Sequence, residues 1–410
     1  MRPFGPDSPW RLRPDVTFLN HGSFGACPAP VLDRQRELVD ELEAGPVAFL
    51  DTTFEDRLDA ARSAVAEFLN ADPEDLVFVP NATTGVSAVL RSLRFEPGDQ
   101  LLTTDHEYNA TLNALAEVAR TSGAEVAIAR LPLEIESDKQ VLATILEAVT
   151  PRTRLSLVSH ITSPTATILP IEEIVRELDA RGIDTLVDGA HAPGQVPVDL
   201  RRLGAAYWTG NGHKWLCGPK GSAVLHVRDD RRDRIHALTM SHGLNDPRPD
   251  RPRLWKEFDW TGTGDPTPAL ALPTAIDVIG RLHQNGWPGV MAANHDLAIE
   301  GRRRIAEALG VTPRIPAALH GSMAIVPLPI PTTAATAATA LALKTTLMDE
   351  DRIEVPITAF PVSAARLRQG DEPVALAVRI SAQRYNEASD YERLAEALVR
   401  RLGRFAEYTA

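Results

Sequence analysis

From residue 76 to residue 228 the sequence keeps exchanging one rhythm for another. Short runs rich in Val, Ile, Leu and Thr alternate with longer stretches whose apolar residues recur at helical spacing. "LVFVPN" precedes "TGVSAVLRSL", "QLLTTD" precedes "ATLNALAEVART", "EVAIARL" precedes "DKQVLATILEAV", and "RLSLVSHI" precedes "IEEIVRELDARG"; "DTLVDGAH", "AAYWTGNGHKW" and "GSAVLHVR" follow. Strands that alternate with helices leave few options. The chain is expected to be α/β, with a mostly parallel sheet of seven-stranded type covered by helices on both faces. Such sheets bind ligands beyond the carboxyl ends of their strands, so the residues just after each apolar run are where chemistry is sought.

The flanks read differently. Residues 1–28 are Pro/Gly-rich and irregular, an N-terminal arm, and 30–44 and 54–69 read as amphipathic helices. Residues 240–268 read as a long polar loop, a kind that is usually functional or mobile. A helix is expected from about Pro268 to Leu282. From about residue 300 the pattern turns α+β, with strands at "SMAIVPLPI" and "VALAVRIS" and helices over 334–348 and 388–404. The Ala/Thr-rich "PTTAATAATALALKTT" reads as a helix leading to a strand near "RIEVPI". The expected division is an arm over 1–28, a large domain over 29–280 and a small α+β C-terminal domain over 281–410.

Bulk properties remove several function classes. With 43 basic and 55 acidic residues the formal charge is −12, against the basic footprint that nucleic acid demands. No apolar run approaches a membrane span, and "MRPFGPDSPWRLRPDV" lacks the apolar core of a signal peptide. Two cysteines, Cys27 and Cys217, make neither a disulfide framework nor a cysteine zinc site. They read as small packing residues, and a cytoplasmic setting and no metal are expected.

Familiar motifs fail on inspection. "HEYNA" begins like a zinc-protease helix but has Ala110 in place of the second histidine. "GNG" at 210–212 has Trp215 where the dinucleotide fingerprint needs its third glycine. Neither a P-loop nor a nucleophile elbow occurs.

Five fragments at expected strand ends carry the chemistry. In "NATTGV", Thr83 and Thr84 open a helix, where free N–H groups and the helix dipole suit a phosphate as well as a simple cap. In "LVDGAH", Asp188 ends an apolar strand and His191 follows three residues later. In "TGNGHKWLCGPKGS", Lys214 sits among glycines, where a lysine is held for chemistry such as a Schiff base; Asn211 and His213 precede it, and Lys220 competes with it. Tyr108 in "DHEYNA" can stack on a planar ring. Arg379 in "VRIS" can grip a carboxylate bidentately. A Schiff-base lysine, an aspartate for a pyridinium nitrogen, a phosphate cup and a carboxylate clamp together fit pyridoxal phosphate.

The chain resembles the fold-type I pyridoxal-phosphate enzymes of the class V aminotransferase group. "FLNHGSFGACP", "NATTGV", "SHITSPTATILP", "VDGAHAPG", "TGNGHKWLCGPKG", "WTGTGDPTP" and "RISAQRYN" resemble its isopenicillin N epimerase-like branch, over about residues 15–400. The resemblance implies pyridoxal 5′-phosphate held on Lys214, which also moves the Cα proton. It implies Asp188 at the pyridine nitrogen with His191 nearby, and Tyr108 on the ring face. It puts Thr83, Thr84, Asn211 and His213 around the phosphate and Ser163 near the ring hydroxyl. Thr263 would reach the phosphate of a partner subunit, making a homodimer with a shared active site. Arg379 would take the substrate α-carboxylate, with Asn20 and His21 lining the substrate side.

Two departures matter. Cysteine desulfurases of this class carry a reactive cysteine in the C-terminal half, whereas residues 350–378 contain none. Ala166 stands where relatives often have glycine. The shared first step is loss of the Cα proton to Lys214. Protonation from the opposite face then gives epimerisation, the first expectation, with His21, Tyr108 and Tyr385 as candidate acids. Expulsion of a β-substituent gives a C–S lyase acting on an amino acid such as a cysteine conjugate, and protonation on the cofactor gives an aminotransferase. A scaffold without catalysis has no need of both Lys214 and Asp188.

Overall fold

The computed structural model describes residues 8–361 and 374–409. Twelve strands are β1 (Thr17–Phe18), β2 (Leu76–Val79), β3 (Gln100–Thr104), β4 (Glu125–Ala129), β5 (Thr153–Ser159), β6 (Asp184–Asp188), β7 (Tyr207–Asn211), β8 (Ala223–Val227), β9 (Met323–Pro327), β10 (Ile353–Glu354), β11 (Ile357–Phe360) and β12 (Ala375–Ser381). Seven of them form one sheet in the order β2-β8-β7-β6-β5-β3-β4. Only β8 runs antiparallel to its neighbours; the remaining pairings are parallel.

The strand sequences explain the layering. β7 and β8 are buried at every position, and β6 at every position after its first. A strand covered on both faces has no reason to alternate polar and apolar residues. The helices supply that cover. Ile171–Asp179 buries Ile171, Ile174, Val175 and Leu178, the i, i+3, i+4, i+7 stripe of a one-sided helix, and carries Glu172 and Glu173 where the N-terminal dipole favours them. The chain goes from β3 outward to β4 and then returns to β5 on the other side of β3. That reversal opens a crevice at the strand ends, which is where the site lies.

β11, β12 and β9 form a second, antiparallel sheet, packed with the helices Gly286–Leu309, Ala337–Asp349 and Ala388–Thr409 into a separate apolar cluster. The first of these helices falls where the sequence reading placed no element. The segment before it is also more ordered than a long polar loop: residues 253–259 are helical and bury Leu254 and Phe258. Charge rather than apolar periodicity pins that segment. Asp259 lies 2.8 Å from Arg62 and 2.7 Å from Arg251, and the Arg62 guanidinium stacks 4.1 Å from the Trp255 ring centre. Breaking such a buried pair costs about 3–5 kcal/mol, although in the sequence its charged residues read as a solvated stretch.

The expected irregular arm is likewise tied down. β1 pairs in parallel with β10, and Trp10 packs edge-on against Tyr385 at 5.1 Å. No helix among the described residues is long and apolar enough to cross a membrane.

Candidate active site

The ends of β3, β5, β6 and β7 open onto one cleft of about 930 Å³. Its wall includes Thr83, Thr84, Tyr108, Ser163, Asp188, His191, Asn211, His213, Lys214 and Arg379. Ten residues scattered over nearly three hundred positions are thus brought together by the sheet.

At one end the helix Ala82–Ser92 points its N-terminus into the cleft. Asn81 caps it, accepting from the Thr84 N–H at 2.9 Å and the Thr84 hydroxyl at 3.1 Å. Asn211 reaches across from β7 and accepts from the Ala82 N–H at 2.9 Å. The Thr84 hydroxyl is therefore committed to the cap, and Thr83 is the better placed of the two to donate to an anion. His213 anchors Nδ1 on the Ser222 carbonyl at 3.1 Å, which leaves Nε2 as its other hydrogen-bonding atom.

At the other end Asp188 is buried. One carboxylate oxygen accepts from the Ala190 N–H at 3.0 Å and the other from the Thr111 hydroxyl at 3.1 Å. Burial raises its pKa, opposed by those hydrogen bonds and by the charge of Lys214. A carboxylate held this way is prepared for a cationic N–H.

Lys214 stands between. Its Nζ lies 3.1 Å from His191 Nε2, and the Trp215 indole N–H donates to His191 Nδ1 at 3.4 Å. An indole can only donate, so Nδ1 accepts and Nε2 carries the ring proton. Burial drives the His191 pKa well down, helped by Lys214 and Arg379. A neutral imidazole N–H facing Nζ wants an amine, not an ammonium. Burial, opposed by Asp188 and reinforced by Arg379, brings Lys214 down to about 8.

Arg379 rises from β12 and is buried to its tip. One Nη donates to the Ser163 carbonyl, the other to the Ser23 hydroxyl at 3.1 Å, and Nε has no partner among the described residues. The Ser23 hydroxyl in turn donates to Asn20 at 2.5 Å.

The remaining expected residues lie off the cleft wall. His21 is fully buried, 2.8 Å from the Tyr385 hydroxyl and 3.0 Å from the Lys214 carbonyl. Burial lowers it to about 3. Tyr385, buried with it, is likewise not among the residues that line the cleft. Asn20 is also off the cleft wall, and its amide oxygen serves Ser23 instead. The reason is packing: in the short helix His21–Phe24, His21 faces the Lys214 backbone while Gly22, Ser23 and Phe24 line the cleft. Thr263 is exposed and apart from the cleft of its own chain. Residues 362–373, part of the cysteine-free stretch, lie outside the described residues.

The structure adds residues that sequence reasoning missed. Ser23 and Ser159 line the cleft, Thr111 holds Asp188, and Glu107 is buried beneath. Serines and threonines carry no spacing signal. Glu107, beside Tyr108, reads as surface charge until the turn after β3 points it inward.

The aminotransferase class-V family model matches residues 25–394. The chain belongs to the aminotransferase class-V family. It is 35% identical to isopenicillin N epimerase of Amycolatopsis lactamdurans over 401 residues, covering 94% of this chain and 95% of that protein. It is 33% identical to a putative L-cysteine desulfhydrase 1 of Oryza sativa subsp. japonica over 405 residues, covering 93% and 82%. Its fold is similar to the cysteine desulfurase CsdA of Escherichia coli, with a TM-score of 0.75 at 22% identity over 96% of this chain and 97% of that one. The cofactor of this family member is pyridoxal 5′-phosphate. The donor set fits it: a helix N-terminus, a buried carboxylate with no cation bonded to it among the described residues, and a desolvated lysine share one cleft.

Proposed function

We propose that this class-V enzyme is a β-eliminating C–S lyase that acts on cysteine or a cysteine conjugate. The observation that carries the reading is the burial of His21 and Tyr385 behind the Lys214 backbone. Epimerisation needs an acid on the face of Cα opposite the base, and two of its three candidates are out of reach. Elimination needs one base on one face.

Bound pyridoxal phosphate supplies the electron sink for breaking bonds at Cα. The chain's own residues do the rest. Thr83, Asn211 and His213 hold the phosphate, Asp188 accepts from the ring nitrogen, Tyr108 covers the ring, and Ser163 stands near the ring hydroxyl. Arg379 takes the substrate carboxylate in a forked contact, drawing its Nη atoms from Ser163 and Ser23. Lys214 holds the cofactor, removes the Cα proton and, with His191 beside it, returns a proton to the departing sulfur. For cysteine the balance is cysteine and water giving pyruvate, ammonia and hydrogen sulfide.

A second reading keeps the epimerase, with Tyr108 as the opposite-face acid. Its support is that Tyr108 lines the cleft and is 49% exposed, with its phenol open to substrate. Two copies are proposed to pair so that Thr263 of each reaches the other's phosphate site, within a reducing cytoplasm that keeps Cys27 and Cys217 as thiols.

The test is incubation of the loaded enzyme in deuterated water with cysteine, a cysteine S-conjugate, a cysteine sulfoxide and an adipyl-type peptide, followed by NMR. Pyruvate with a released sulfur fragment supports the lyase. Deuterium at Cα with the amino group kept and configuration scrambled overturns it for the epimerase, and a 2-oxo acid retaining its side chain overturns it for aminotransfer. Lys214→Ala abolishes turnover in each enzymatic case; turnover that survives it refutes the assigned base.

A further inference from the structure

Beneath the floor of the cleft lies a second carboxyl group that the roles above do not use. Glu107 is fully buried in the turn after β3. One of its oxygens accepts from the Ser159 N–H at 2.8 Å and from the Thr104 hydroxyl at 3.1 Å. The other accepts from the Ser159 hydroxyl at 2.6 Å. Three donors converge on two oxygens, an arrangement that suits an ionised, acceptor-only group. Ser159 lines the cleft and is the register partner of Asp188 across β5 and β6.

No cation contacts Glu107 among the described residues, and Asp188 acts on it as a second negative charge. Burial, with that repulsion, lifts its carboxyl to about 8, against the pull of the Ser159 and Thr104 hydrogen bonds. Burying an unpaired carboxylate is costly, and a neutral amide would hold the strands together at less cost. What offsets the cost is a cation arriving beside Asp188.

We propose that Glu107 is a positioning carboxylate for the cofactor's ring nitrogen, fixing Ser159 beside Asp188 and placing a second negative charge behind it. Two carboxylates hold the ring nitrogen protonated more firmly than Asp188 alone, whichever reaction follows. The inference rests on the cofactor assignment and not on the choice between elimination and epimerisation.

Glu107→Gln tests it. The amide keeps one acceptor for the Ser159 and Thr104 protons, and the Ser159 hydroxyl can rotate to accept from its NH₂. Size and shape stay while the charge goes. The wild type, Glu107→Gln, Glu107→Asp and Ser159→Ala are loaded with pyridoxal phosphate. The visible absorption of the bound cofactor is titrated with pH, and the ring-nitrogen ¹⁵N shift is read with labelled cofactor. The charged groups that otherwise act on Lys214 are Asp188 and Arg379, and all four proteins keep both.

Glu107→Gln is expected to lower the absorption midpoint by about one pH unit and move the ring nitrogen toward its neutral form. Glu107→Asp should stay near wild type. Ser159→Ala, which withdraws the hydrogen bond that most favours the ionised form, should shift the same way by less. Glu107→Gln with the wild-type midpoint and ¹⁵N shift overturns the proposal. If that variant does not fold, Ser159→Ala at the wild-type midpoint overturns it equally. A wild type that shows no cofactor band at all refutes the cofactor assignment itself, and this proposal with it.

Discussion

Gly25→Ala should damage the Lys214 loop from behind. Gly25 sits at φ 70° and ψ 165°, a region essentially closed to other residues. A Cβ there would lie 2.1 Å from the His213 carbonyl oxygen and 2.9 Å from that of Lys214. Adopting this backbone costs an L-residue about 1–3 kcal/mol. Relieving the overlap requires a movement of about 1 Å, and such overpacking costs about 1–3 kcal/mol more. The total is about 2–6 kcal/mol, and the group that has to move carries the base. A misplacement of about 1 Å at a reacting group costs on the order of 100-fold in rate. Gly182→Ala is the control: φ is 71° there, but nothing lies within 4 Å of the new Cβ. It should lose only about 1–2 kcal/mol and no activity. Urea midpoints and kcat for the two variants, side by side, separate backbone strain from steric overlap. A Gly25→Ala protein as stable and active as Gly182→Ala would refute the reasoning, because the overlap would then be costless.

Two further predictions concern the cleft. Arg379→Lys replaces a fork that spans Ser163 and Ser23 with a point charge. KM for the amino-acid substrate should rise about 10- to 100-fold, as expected for loss of a charge-assisted hydrogen bond of about 1.5–3 kcal/mol, with kcat much less affected; an unchanged KM would remove Arg379 from carboxylate binding. The capture of pyridoxal phosphate by cofactor-free protein should accelerate with pH through about 8, because burial brings Lys214 to that value and only the neutral amine attacks. Stopped-flow rates that keep climbing until near pH 10 would mean that the lysine is solvated.

How much of this was legible in the sequence depends on which force does the work. The parallel sheet announces itself because a strand covered on both faces is largely apolar, as in "LVFVPN", and because its covering helices must be one-sided, as in "IEEIVRELDARG". Lys214, Asp188 and Tyr108 could be picked out because they follow such runs directly. The helix Arg253–Asp259 could not, since it is held by the buried Arg62, Arg251 and Asp259 charges, and Arg62 is almost two hundred residues from Asp259 in sequence. His21 shows the same limit from the other side. The resemblance puts it on the substrate side, whereas its ring contacts the Lys214 carbonyl and is not among the residues lining the cleft.

The sequence by itself determined the fold class and the cofactor, and it singled out Lys214 as the lysine proposed to hold it, because each depends on residue type at a strand end. Only the tertiary structure decided which way each side chain faces. Glu107 and Tyr108 are neighbours in the chain, yet one is buried under the cleft floor and the other is open to substrate. A turn of one residue reverses a side chain's direction, and the hydrogen bonds that hold Glu107 inward come from Thr104 at the end of its own strand and, twice, from Ser159 on β5, which no local pattern encodes.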